Sequence, residues 1–169
     1  MRLSRRALFG LVAASALLAQ PAPRLAADFA VHMADGSTTM LSSLRGKPVV
    51  MAFLNTGCPH CQHFAQQLSV YQHEFGGKGL KVLAVVFDKG ARQGLPTFRD
   101  KYVSGYPVGY SDETAVMAWL KQPIDQGYFV PIVAFVDRQG RIVSQHPGDD
   151  IFFQDPDANM RRKLQTILK

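Results

Sequence analysis

Residues 48–61 read PVVMAFLNTGCPHC, and the fold follows from this stretch. Pro48–Leu54 is an unbroken apolar run of strand length, the pattern of a central strand buried on both faces. Asn55, Thr56 and Gly57 interrupt it. Cys58-Pro59-His60-Cys61 follows, with Pro59 at the first position of a predicted helix, where its missing N–H costs nothing. Phe64, Leu68, Tyr71 and Phe75 then recur at helical spacing until Gly76-Gly77 stops the element. The next run, Leu80–Phe87, reads LKVLAVVF and predicts a second buried strand, with Asp88 just past its end. Strand, helix and strand in this order imply a right-handed crossover and parallel pairing.

Working outward, Asp28–Thr39 reads as two short strands turned by Asp35-Gly36. Leu41–Leu44 reads as a single helical turn. Past Asp88, a helix is predicted from Arg92 to Val103 and a short strand from Pro107 to Tyr110. Asp112 caps a helix running through Met117 and Trp119 to Leu120. Gln122–Val130 is a loop. Pro131–Val136 and Arg141–Gln145 alternate as a hairpin joined by residues 137–140. Asp155-Pro156 opens a basic amphipathic helix that ends at Leu168. The expectation is a single α/β domain over residues 28–169, a central mixed sheet flanked by helices.

The composition suits an ordinary core: 47% of the 169 residues are apolar and 19% charged. The net charge of +6 belongs largely to the N-terminus. Residues 1–27 hold four arginines and no acid, so without them the charge is +2, too little to argue for nucleic acid. Arg2, Arg5 and Arg6 precede an apolar stretch from Ala7 to Ala19, which Gln20, Pro21 and Pro23 end. This reads as an export signal over residues 1–27, cleaved after Ala19 or Ala27, and Ser4-Arg5-Arg6-Ala7-Leu8-Phe9 resembles the twin-arginine signal. A periplasmic location follows; the alternative is an uncleaved segment anchoring the chain to the inner membrane. The apolar run is short for a span of roughly 20 residues.

Cys58 and Cys61 are the only cysteines. A disulfide closing so small a loop removes little unfolded-state entropy, so a chemical role explains them better than a structural one. On the first turn of a helix, one thiolate is favoured by the N-terminal partial charge and a second thiol lies within reach. The expected roles are Cys58 as nucleophile and leaving group, Cys61 as the resolving thiol, Pro59 as the helix opener and His60 as the group that tunes the sulfur. Cys58, Cys61, His60 and His63 also leave open a copper or zinc site that would make the chain a metallochaperone. Haem attachment is excluded, because Gln62 stands where a C-x-x-C-H motif needs histidine. His32, His73 and His146 read as surface or loop residues.

Asp28–Leu168, and above all DFAVHMADG and LRGKPVVMAFLNTGCPHC, resembles the TlpA/ResA branch of exported thioredoxin-like proteins. The resemblance implies a thioredoxin-like fold with an N-terminal β-hairpin and an insertion between the middle strands, matched by about Gly90–Tyr110. It also implies a thiol–disulfide oxidoreductase without cofactor or resident metal. Its partners would be protein thiols or disulfides and a redox protein that recharges the pair, and the chain would be a monomer. Val130-Pro131 resembles the cis-proline held opposite the cysteines, so these two residues are expected to shape the substrate groove. Three positions depart from the family. Gly57 replaces the usual tryptophan, and Ala52 and Phe64 stand where thioredoxin and ResA carry an acid that accepts the proton of the resolving thiol. His63, Asp88 or water are the candidates left. The Pro-His dipeptide resembles the oxidase DsbA, whose potential lies near ~−120 mV against ~−270 mV for thioredoxin. A peroxiredoxin-like peroxidase is a further alternative, opposed by Asn55 in place of that family's threonine.

Overall fold

The computed structural model describes residues 23–169. One eight-stranded mixed sheet runs through the domain in the order β1-β8-β7-β4-β5-β6-β2-β3. Its middle is β4 (Val49–Leu54), parallel to β5 (Lys81–Val86) on one side and antiparallel to β7 (Ile132–Val136) on the other. Every residue of β4 is buried, as its continuous apolar run requires. Successive side chains point to opposite faces. Val50, Ala52 and Leu54 join one core, with Phe64, Leu68 and Tyr71 of α1 (Pro59–Phe75), Leu95 and Phe98 of α2 (Ala91–Tyr102), and Met160 and Leu164 of α4 (Pro156–Ile167). Val49, Met51 and Phe53 enter a second core on the other face, with Met117, Trp119 and Leu120 of α3 (Glu113–Leu120). Each core leucine buried this way contributes about 1.5–3 kcal/mol relative to an exposed one.

The expected N-terminal hairpin is present as β2 (Ala30–His32) and β3 (Thr38–Met40), and β6 (Val108–Tyr110) follows α2 in the expected insertion. Gly109 has a packing reason: a Cβ there would stand 2.5 Å from the carbonyl oxygen of His32 on the neighbouring strand β2. Asp112 and Asp155 cap α3 and α4 by accepting the backbone N–H of Ala115 and Ala158. His146, at the end of β8 (Arg141–His146), departs from its surface reading. Its ring is largely buried and stacks on Phe152 with centroids 4.4 Å apart. Burial holds its pKa below the usual histidine value, although Asp150 at 3.3 Å acts the other way.

β1 (Arg24–Leu25) was not expected as a strand. It pairs with Ile142 and Arg141 of β8, and the Ala26 N–H donates to the carbonyl of Gly140. Arg24 donates to the Trp119 carbonyl at 3.0 Å, and the Trp119 indole N–H donates to the Ala27 carbonyl at 2.8 Å. The positive start and the apolar run expected for an export signal over residues 1–27 fall within residues 1–22, outside the described residues. Among the described residues no helix is long and apolar enough to cross a membrane.

Removing residues 1–27 rather than 1–22 deletes β1 and strands the buried Trp119 N–H. The shorter chain should lose about 2–4 kcal/mol of stability, measured by urea unfolding of residues 23–169 against 28–169. Equal midpoints would show that the edge strand holds nothing.

Candidate active site

β4 ends at Leu54, and three residues carry the chain from it to the N-terminus of α1. Cys58 is the N-cap, with extended backbone (φ −88°, ψ 117°), and its sulfur accepts the Cys61 backbone N–H at 3.3 Å. The sulfur thus takes the place that a serine or aspartate oxygen holds at an ordinary cap. Pro59 opens the helix as expected. Cys58 is half-buried, Cys61 has no exposure at all, and both carry free thiols. Only Cys58 is open to a partner.

Burial pushes the Cys61 thiol well above its ordinary range. The Asn55 backbone N–H acts against this, while the Cys58 sulfur and, less, the Asp88 carboxylate add to it. Asp88 stands just past β5, and both its oxygens are taken by Thr56: the Thr56 N–H donates to Oδ1 and the hydroxyl to Oδ2, each at 2.7 Å. His63 is exposed on α1. Of the three proton acceptors considered for Cys61, Asp88 is therefore committed elsewhere and His63 faces solvent. Asn55 Oδ1 is buried without a hydrogen-bond partner.

The Val130–Pro131 bond is cis, as the resemblance implied, and Pro131 is buried where the loop enters β7. Val130 packs against both cores, the first of which includes Cys61 and borders on Cys58. Pro131, Phe129, Phe64 and Phe153 line a groove of about 360 Å³ together with His60 and His63. His60 is exposed in that groove, and its ring makes no hydrogen bond to Cys58. No group of three or more His, Cys, Asp or Glu among the described residues is placed to hold a metal ion, so the structure does not gather Cys58, Cys61, His60 and His63 into one ligand set. Gly57 is exposed, and a Cβ there would meet nothing within 4 Å. The family's tryptophan is thus replaced without any steric need for glycine.

Sequence reading missed Phe129, 64% exposed at the groove rim, and Gly148, which sits beneath it. The Gly148 N–H donates to the Phe129 carbonyl at 2.9 Å, and a Cβ on Gly148 would stand 2.9 Å from the backbone of Phe129 and Val130. The glycine after Pro147 was the available signal, but nothing local connects it to a loop 18 residues earlier.

Comparison with known proteins agrees with this geometry. The AhpC/TSA family model matches residues 20–145. The thiol-disulfide oxidoreductase ResA of Oceanobacillus iheyensis is 31% identical over 97 residues, which is 57% of this chain and 50% of that protein. The chain thus aligns with about half the length of this curated relative. Among solved structures, a thiol:disulfide interchange protein of the thioredoxin family from Chlorobium tepidum TLS superposes with a TM-score of 0.69 at 17% identity, over 89% of this chain and all of that one. MTB DsbF superposes with a TM-score of 0.64 at 22% identity, over 82% and 94% of the two chains. These likenesses show the thioredoxin-like fold.

Gly148→Ala should displace the Phe129–Val130 backbone and destabilise the domain by about 1–3 kcal/mol. Thermal unfolding tests this, and an unchanged midpoint would mean that the close approach is relieved at no cost.

Proposed function

The chain belongs to the AhpC/TSA family, and on that premise we propose that it is a thiol–disulfide oxidoreductase acting on partner polypeptides through Cys58 and Cys61. One observation carries the reading: an accessible sulfur at a helix N-terminus accepts the N–H of a second, fully buried cysteine three residues on. The name of the ResA relative supports it.

In the reducing direction the Cys58 thiolate attacks a substrate disulfide. A Cys58–substrate bond forms, the substrate S–S bond breaks, and one substrate thiolate leaves and takes up a proton. Cys61 then gives up its proton and attacks the Cys58 sulfur. The second substrate thiolate leaves, the Cys58–Cys61 disulfide forms, and two electrons have passed to the substrate. The same steps reversed oxidise a substrate dithiol. A redox partner restores the pair in either case.

The groove lined by His60 is the proposed seat of the substrate chain, with Val130 and Pro131 as its wall and Phe129 as an exposed apolar contact. His60, at the groove, is the proposed tuning group. Action in the periplasm is part of this reading and rests on the N-terminal sequence pattern, as does cleavage of a leader after Ala19, which keeps β1, or after Ala27, which removes it.

Cys58→Ser should abolish turnover in insulin reduction or thiol oxidation, and Cys61→Ser should accumulate mixed disulfides that non-reducing electrophoresis detects. Full activity in both variants would end this reading.

A further inference from the structure

The turn that delivers Cys58 is tied down more firmly than its length requires. The Cys58 N–H donates to the Asn55 carbonyl at 3.2 Å, closing a turn with Thr56 and Gly57 at its centre. Every polar group of Thr56 is engaged. Its N–H and hydroxyl donate to the two oxygens of Asp88, and its carbonyl accepts from Gln62 Nε2 at 2.9 Å. Asp88 follows β5, and Gln62 belongs to the first turns of α1. On the remaining side Thr56 packs on Gly94 of α2, where a Cβ would stand 3.1–3.3 Å from three Thr56 atoms. Strand, active-site helix and insertion helix therefore meet at one residue, two positions before the reactive cysteine.

We propose that Thr56 and Asp88 form a clasp that positions Cys58 for thiol exchange, a role that rests on the activity proposed above. Exchange requires the attacking sulfur, the attacked sulfur and the leaving sulfur to lie close to one line. A displacement of about 1 Å can slow such a step about a hundredfold. A free three-residue connection would let the Cys58 sulfur wander each time its bonding changes. The carboxylate removes that freedom with two charge-assisted bonds to a single residue. Neither Thr56 nor Asp88 touches the reacting sulfurs in this scheme; both act through the backbone of the turn.

Four variants of the full chain separate this from a general effect on folding. Thr56→Val removes the hydroxyl at nearly constant shape, and Thr56→Ser keeps it. Asp88→Ala removes both acceptors. Asp88→Asn keeps an acceptor for the N–H and can donate its amide to the hydroxyl. The readouts are the rate of insulin disulfide reduction and the rate at which iodoacetamide alkylates the reduced protein, which reports Cys58 because Cys61 is fully buried. Circular dichroism checks that each variant is folded. Thr56→Val and Asp88→Ala should exchange about 10- to 100-fold more slowly, with Thr56→Ser and Asp88→Asn within about threefold of the parent. The clasp is refuted if Thr56→Val and folded Asp88→Ala keep the parental rate, or if Thr56→Ser and Asp88→Asn are as slow as they are. Should the parent fail to exchange disulfides while alkylation still separates Thr56→Val from Thr56→Ser, the activity reading fails and the clasp stands.

Discussion

Strand β4 is bonded on both edges and buried on both faces, and that double confinement governs the site. It pairs residue for residue with β5 from Val49–Lys81 to Leu54–Val86, and with β7 from Val49–Val136 to Phe53–Ile132. A strand held in two registers cannot slip without turning its apolar side chains to the wrong face. The point at which the chain leaves the sheet is therefore fixed. Because β7 runs antiparallel, its first residues lie beside the last residues of β4, and the loop ending in Val130-Pro131 arrives next to Cys58. Because β5 runs parallel, its end delivers Asp88 to the same edge. The site is the meeting of three strand ends at one edge of the sheet.

What could be read from the sequence divides along the same line. The cysteine pair, the helix opener Pro59 and the strands on either side were legible because each rests on a local pattern: an apolar run, a 3.6-residue period, or proline at a helix start. The Val130-Pro131 element came only from a family resemblance, since nothing in its neighbours sets it apart. Phe129 and Gly148 were not visible, because their contact spans β7 and β8. Nor was the Thr56–Asp88 pair, whose partners meet only once the strands are paired. Arg24–Leu25 was hidden by its setting: composition groups it with the leader, while two ladder contacts with β8 make it an edge strand. His146 looked like a loop residue until Phe152 folded against its ring.

The two thiols owe their difference to depth. Both sit within one helical turn, yet one has contact with solvent and the other has none. Burial penalises a thiolate, so at neutral pH Cys61 stays protonated and leaves nucleophilic attack to Cys58. This orders the proposed steps without any catalytic base, since only one sulfur is both accessible and able to begin.

Resolution then needs Cys61 to give up its proton, and the first step itself prepares for this. Two of the influences that raise the Cys61 pKa come from Cys58: its charge, and its sulfur as a hydrogen-bond partner. Once Cys58 is tied to a substrate sulfur it carries no charge, and both influences weaken. The Asn55 N–H, which favours the Cys61 thiolate, is unaffected. Burial remains the largest obstacle, and a substrate chain lying in the groove would not relieve it. Formation of the mixed disulfide therefore brings Cys61 part of the way toward ionisation and leaves the rest to solvent or to the departing substrate thiolate. That division suits a site in which Ala52 and Phe64 replace the family's buried acids and in which Asp88 is occupied with holding the turn.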